Sequence, residues 1–292
     1  MALSSSSTVY PLSSFSPTSH SNRKNSIYNA LPMTVRSRLS DNSTLLLQAA
    51  KFTVDSFVEN GMVIGLGSGR ASGFAIQYLG RQLRSGTIKD ITGIPTSVDS
   101  ASEAAKAGVP LDDYRDSSKI DLAFSDADVI EEESLTAVIG RKKLLGGESL
   151  IQEKAILRAA GKLVLICTKQ YQGVLDGSIP VLINSVNWLE TAEEIDDLFL
   201  GDAEVWRRPA VGYAGPLGGN FPLVTREGHN VLDVIFTSPI PNLGEVADRL
   251  DQVAGVVEHG VISRIPCTAV IATENGMRVF RNSLKNEGSK VV

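Results

Sequence analysis

Apolar residues recur at helical spacing from Leu45 to Val58, and the rhythm then changes. "NGMVIGLGSG" supplies a turn, a short buried strand at Met62–Ile64 and a glycine-rich bend, after which Ala71–Leu83 returns to the helical period. "DITGIPTS" predicts a second strand ending at Pro95, "VDSASEAAKAG" a helix closed by Gly108, and "KIDLAFSDAD" a third strand whose carboxyl end is crowded with acids. A helix over Ser149–Ala160 and the strand "KLVLICTK" complete the series. Strands alternating with helices in short units predict an α/β fold: a parallel sheet with helices on both faces, Rossmann-like, its ligands bound beyond the carboxyl ends of the strands.

The pattern shifts at Gly173. "PVLINSV" reads as a strand, "ETAEEIDDLFL" as an amphipathic helix, "FPLVTREGHNVLDVIF" as a hairpin turning near Glu227 and Gly228, and "LGEVADRLDQVAG" as a further helix. That order describes a smaller inserted α+β domain. "GVISRI" and the hairpin "TAVIATENGMRVF", with its Asn275-Gly276 turn, return to the first domain. The chain thus divides into a leader (1–40), an α/β domain (41–175 and 255–285), an α+β domain (176–254) and a tail (286–292).

Composition narrows the function classes. The net charge of −5 is mild and its signs are mixed, with no stripe of aromatic and basic residues, which argues against a nucleic-acid partner. No apolar run is long enough to span a bilayer. Cys167 and Cys267 each sit in an apolar run without framework spacing and read as reduced core residues. The first forty residues are rich in serine, carry Arg23, Lys24, Arg36 and Arg38, and hold no acid before Asp41, a transit-peptide composition that points to a plastid.

Candidate chemistry gathers at the predicted strand ends. "GLGSGRAS" departs from a dinucleotide fingerprint, because Arg70 stands at the third glycine position and no acid ends the second strand. Two readings stay open for the bend: the N–H groups at the start of the Ala71 helix hold an anion such as phosphate, or Gly65 and Gly67 permit close packing of helix on sheet. Ser149 reads as an N-cap with Gln152 completing a capping box, which places Glu153 in the first helical turn, where the helix dipole suits a carboxylate. His20, His229 and His259 form no metal spacing, and His259 reads as a packing or subunit-contact residue. Trp206, Arg207 and Arg208 read as a solvated edge, and "EEIDDLF" as the wet face of a helix with Ile195 and Leu198 inward.

Six segments in order carry a resemblance: "NGMVIGLGSGRAS" at Asn60–Ser72, "GIPTS" at Gly93–Ser97, "FSDAD" at Phe124–Asp128, "LLGGESLIQEK" at Leu144–Lys154, "TKQ" at Thr168–Gln170 and "GVVEHG" at Gly255–Gly260. From about Ser43 onward the chain resembles the A-type ribose-5-phosphate isomerases. The resemblance implies a two-domain α/β subunit, a homo-oligomer such as a dimer, that interconverts ribose 5-phosphate and ribulose 5-phosphate without metal or organic cofactor. It implies Glu153 as the proton-moving base and a pentose-phosphate site built from Ser68, Gly69, Arg70 and Ala71, from Ser125, Asp126, Ala127 and Asp128, from Leu144, Leu145, Gly146 and Gly147, and from Lys169.

Several of these positions depart from the family pattern. Arg70 and Ala71 replace two hydroxyls, Ser125 replaces the first aspartate, Asp126 stands where glycine is expected, and Leu144 and Leu145 replace lysine and glycine. Losing one preorganised oxyanion donor costs roughly 3 to 4 kcal/mol. Lys143 points away from its neighbour's face in an extended segment, and Asp126 beside Asp128 adds repulsion that the family lysine would have relieved. An isomerase of the plastid stroma and a relative that binds sugar phosphate as sensor or partner subunit, without efficient turnover, therefore both stand.

Overall fold

A computed structural model of the chain describes residues 34–116, 118–141, 149–168, 170–171, 177–210, 221–240, 242–273 and 276–281, with side chains from Asn42 onward except at 170 and 171. Helix α1 (Thr34–Phe57) leads into β1 (Val63–Leu66), the glycine bend and α2 (Arg70–Ser85). β2 (Thr92–Pro95), α3 (Val98–Ala107) and β3 (Ile120–Asp126) follow, with α3 closed at Gly108 as the pattern predicts. Short strands β4 (Val129–Glu131) and β5 (Ala137–Val138) precede α4 (Leu150–Ala159), β6 (Ala160–Cys167) and β7 (Gln170–Tyr171). Then come β8 (Ser178–Ile183), α5 (Trp188–Leu198), β9 (Ala203–Arg207), β10 (Asn230–Phe236), α6 (Leu243–Leu250), β11 (Val256–His259), β12 (Val261–Ile262), β13 (Cys267–Thr273) and β14 (Gly276–Arg281).

The main sheet has the order β14-β13-β6-β3-β1-β2, parallel throughout except for the edge strand β14. Its two faces follow the period-2 alternation of strand side chains. Leu122 and Phe124 of β3, Val164 and Ile166 of β6, and Val270 and Ala272 of β13 pack under α1 and α2. The intervening Ala123, Leu163, Leu165, Ala269 and Ile271 pack on the opposite face with Leu150 and Leu157 of α4. Strands buried on both faces read as continuous apolar runs, and these do.

A second, antiparallel sheet, β11-β8-β10-β9, is covered by α5 and α6 through Ile195, Phe199, Leu243 and Leu250, with Leu198 partly buried beside them. A third small sheet, β12-β5-β4-β7, begins where β3 and β6 end. The Ile139 N–H donates to the Gly260 carbonyl at 2.8 Å and the Gly260 N–H to the Pro180 carbonyl at 2.7 Å, joining the second and third sheets.

Strand pairing refines two local readings, and burial corrects a third. The chain turns back at Glu227 and Gly228 as read, with the Thr225 N–H on the His229 carbonyl at 2.8 Å, but β10 forms its ladders with β8 and β9, while the arm Phe221–Thr225 adds isolated bridges at Pro209–Pro222 and Val224–Asn230; Pro222 has no N–H to offer a ladder. "GVISRI" pairs through β12 with β5, in the third sheet formed by strands of the 41–175 segment, while the preceding β11 pairs with β8 of the second sheet. Arg208 is no solvated edge: it is buried, and its Nε and Nη2 grip the Asp233 carboxylate while Nη1 reaches the Gly140 carbonyl at 3.1 Å. Its neighbour Arg207 stacks on Trp188, 3.9 Å from the ring centroid. Cys167 and Cys267 are buried on paired strands, but Cys167 faces Ile271, four residues beyond Cys267. At strand rise that is about 13 Å, too far for a disulfide.

Gly67 rests against β3 so closely that a Cβ would overlap the Phe124 carbonyl and the Ser125 backbone. A Cβ on Gly73, one turn into α2, would meet nothing within 4 Å. Gly67→Ala is therefore expected to destabilise the protein by roughly 1–3 kcal/mol. Gly73→Ala should be neutral or stabilising by up to about 1 kcal/mol. Urea midpoints of the two variants check this pair.

Candidate active site

The carboxyl edge of the main sheet opens into a cavity of about 610 Å³, lined from the bend by Gly67–Arg70, from the end of β3 by Asp126 and Asp128, and from α4 by Glu153. Segments about thirty to sixty residues apart in the chain meet here because parallel strands deliver their following loops to one edge.

Glu153 arrives through the start of α4. Ser149 is its N-cap, its hydroxyl accepting from the Gln152 N–H at 3.0 Å, and Glu153 is buried in the first turn. The second half of the expected capping box does not form: the Gln152 amide turns instead to the Pro95 carbonyl at 3.5 Å and accepts from Arg226 at 3.2 Å. Ser125, fully buried, donates its hydroxyl to Glu153 Oε1 at 2.8 Å and so orients the carboxylate. A hydroxyl in this position supports the anion; an aspartate here would set a second carboxylate against it.

The next residue of β3 does something different. Asp126 accepts from the Ala71 N–H at 2.9 Å, from the Ser72 N–H at 2.7 Å and from the Ser72 hydroxyl at 2.7 Å. It thereby caps α2, whose own N-cap residue, Gly69, has no side chain. Gly69 sits at φ +116°, and a Cβ there would overlap the Asp126 carboxyl. Of the two readings of the bend, close packing holds at Gly67, while the helix pole is met by an internal carboxylate. Ser68 spends its hydroxyl on Thr96 at 3.0 Å.

Asp128 lies beyond the end of β3, so strand geometry no longer relates it to Asp126. Its Oδ2 accepts from the Arg141 N–H at 3.0 Å. Backbone N–H groups thus receive both aspartates whose mutual repulsion the sequence suggested. Ala127 is core, packed under the third sheet, with its N–H on the Ile166 carbonyl at 2.8 Å. Arg70 is exposed at the cavity mouth. Lys143, Leu144, Leu145, Gly146, Gly147 and Lys169 lie outside the described residues.

Sequence reasoning missed the far wall, which α3 supplies with Asp99, Glu103 and Lys106. Glu103 bonds Gln77 of α2 at 3.0 Å, and that amide first, then the Lys106 ammonium, hold its carboxyl below the usual range. Only the docking of α3 against α2 brings these residues to the site.

A buried lock holds α4 in place. Lys154 Nζ bonds the Glu258 carboxylate, the His259 carbonyl at 2.7 Å and the Val261 carbonyl at 3.0 Å, and Arg158 adds a bond to Glu258 at 2.8 Å. Burial lowers the Lys154 pKa. Burial also pushes the Glu258 carboxyl up, but the ammonium beside it outweighs this and leaves it below its ordinary value. His259 is buried too: it accepts from the Val261 N–H at 3.1 Å, and its Nε2 meets Asp251 at 3.0 Å. Its expected packing role fits these contacts.

Fold and site together define a class: an α/β protein with one oriented carboxylate, at the start of a helix, facing a polar cavity at the carboxyl edge of a parallel sheet. The sequence profile of the family described as ribose 5-phosphate isomerase A (phosphoriboisomerase A) matches residues 92–276. Ribose-5-phosphate isomerase A of Gluconobacter oxydans is 36% identical over 232 residues, 78% of this chain and 93% of that protein. The "probable ribose-5-phosphate isomerase 2" of Arabidopsis thaliana is 34% identical over 238 residues, 80% of this chain and 85% of its own. Among solved structures, ribose 5-phosphate isomerase from Plasmodium falciparum superposes with a TM-score of 0.70 at 26% identity, covering 82% of this chain and 99% of that one. The chain belongs to the ribose 5-phosphate isomerase A family.

The lock carries a pH dependence. Burial first, and then the Lys154 charge, depress the His259 pKa from 6.5 to about 4. Its stabilising effect is complete above the unfolded pKa of 6.5 and declines as pH falls towards 4, because the unfolded chain takes up a proton that the folded chain refuses. Roughly 2 kcal/mol should be lost between pH 7.5 and pH 5. The thermal midpoint of the parent protein should fall over that window, and that of His259→Gln should fall less.

Proposed function

We propose that this chain interconverts ribose 5-phosphate and ribulose 5-phosphate, with Glu153 as the group that moves the proton. Glu153 removes the proton from C2 of the open-chain aldose and returns it to C1, while a second proton passes from the C2 hydroxyl to the C1 oxygen; C2 is oxidised as C1 is reduced, so atoms and electrons balance within the sugar without an external oxidant, reductant or cofactor. The observation that carries this reading is the burial of one carboxylate at the mouth of a sugar-sized cavity, with the Ser125 hydroxyl on its Oε1 at 2.8 Å. Asp128, with its orientation set by the Arg141 N–H, is assigned to the sugar hydroxyls. The Gly146 and Gly147 amides are assigned to the enediolate oxygens, Lys169 to the sugar or its phosphate, and Ser68–Ala71 to the binding loop. Family membership supports these roles. A relative solved in complex with phospho-erythronic acid shares the fold at a TM-score of 0.71.

The proposal extends to a homodimer and to the plastid stroma. The serine-rich leader supports the stroma, as does a relative named "probable ribose-5-phosphate isomerase 3, chloroplastic" from Arabidopsis thaliana, 32% identical over 240 residues. Leu144 in place of the family lysine favours slow turnover, with a binding role as the limiting case.

Glu153→Gln should lower kcat on the order of a thousandfold, since the amide cannot accept the proton. It should also stop incorporation of solvent deuterium into the sugar. Leu144→Lys should raise kcat on the order of tenfold or more by returning a cation to the developing oxyanion. A coupled ribulose 5-phosphate assay with deuterium analysis measures both; the reading fails if the parent protein neither forms product nor labels sugar.

A further inference from the structure

The N-terminus of α2 is already occupied. Two N–H groups and one hydroxyl, all directed at the place where an incoming anion would gain most from the helix field, are met by the two oxygens of Asp126 at 2.7–2.9 Å. Ser72, which supplies two of the three donors, is fully buried, so it cannot turn to a second partner without reopening the packing. Gly69 adds the room: only without a Cβ can the bend accept the Asp126 carboxyl. Glycine is expected at position 126 in the family signature, and a glycine would leave these donors facing the cavity.

The described part of the lining adds a like-charge cost to displacement. Among the described lining residues the cavity holds four further carboxylates, Asp99, Glu103, Asp128 and Glu153, against two cations, Arg70 and Lys106. A phosphate that took the α2 donors would push the Asp126 carboxylate towards these acids while adding up to two negative charges of its own. Like charges at this range oppose one another, and the cost is greatest where water is partly excluded.

We propose that Asp126 is a specificity-determining residue: an internal anion that competes with phosphate for the N-terminus of α2 and so lowers the affinity of this cavity for phosphate esters. This rests on the reading of the cavity as the sugar-phosphate site. It adds that phosphate binding at the bend requires Asp126 to leave, which makes this chain a weak phosphate binder beside relatives with glycine there.

The test is direct binding of inorganic phosphate by calorimetry to the full mature chain, in the parent protein, in Asp126→Gly and in the near-isosteric Asp126→Asn. Removing the competing charge should tighten phosphate binding about tenfold or more in Asp126→Gly, and by a smaller factor in Asp126→Asn, which keeps an acceptor on the helix. The KM for ribose 5-phosphate should fall in the same order. If Asp126→Gly does not fold, Asp126→Asn carries the comparison. Phosphate affinity that is unchanged or weaker in the folded variants would reduce Asp126 to a helix cap and overturn the proposal. Tighter phosphate binding without any isomerisation would sustain it while sinking the isomerase reading; isomerisation with unaltered phosphate affinity would do the reverse.

Discussion

The site depends on one constraint at the end of β3: consecutive residues of a strand face opposite sides of the sheet. Leu122 and Phe124 pack under α2, so Asp126 inherits that side and reaches the α2 N-terminus. Ala123 packs with α4, so Ser125 inherits the other and reaches Glu153. Two adjacent side chains thereby serve two helices on opposite faces. The close approach of the β1–α2 bend to this strand, possible only because Gly67 has no side chain, brings both helices to the same opening.

The orientation of Glu153 towards the cavity depends on α4 being held in place. The helix is held at its start by the Ser149 cap and one residue beyond Glu153 by Lys154, whose ammonium is shared among Glu258 and two carbonyls of the segment linking the second and third sheets. Breaking a buried pair of this kind typically costs about 3–5 kcal/mol, because the remaining charge is left without compensation. The neighbours Glu153 and Lys154 therefore divide the labour: one faces the cavity, and the other ties the helix to the opposite side of the molecule.

The end of β3 sets one neutral and one charged side chain on its two sides. The resemblance implies a lysine where Leu144 stands and an aspartate where Ser125 stands, and it leaves glycine at position 126. In this chain the Glu153 side of β3 ends on the Ser125 hydroxyl and the α2 side on the Asp126 carboxylate. Backbone and hydroxyl donors receive that carboxylate, at 2.7–2.9 Å. A second aspartate, Asp128, is likewise held by a backbone N–H. Neutral donors whose positions the fold sets hold these partly buried carboxylates in a defined orientation.

Much of this was legible in the chain. The alternation of apolar runs with helical periods specified the parallel sheet and its helices, Ser149 marked the start of α4, and six ordered segments pointed to the family, because periodicity and capping are local properties that survive without tertiary context. The short strands β4, β5 and β7 were not legible, since two or three residues carry no period and pair only because β3 and β6 deliver the chain there. Nor was the buried state of Arg208, which depends on Asp233 from another strand. By itself the sequence determined which residues bear charge and which elements carry them. Only the tertiary structure decided that Asp126 answers the α2 N-terminus and Ser125 answers Glu153, because those partners lie 54–55 and 28 residues away, and which face of a sheet meets which helix is set by packing rather than by any local signal.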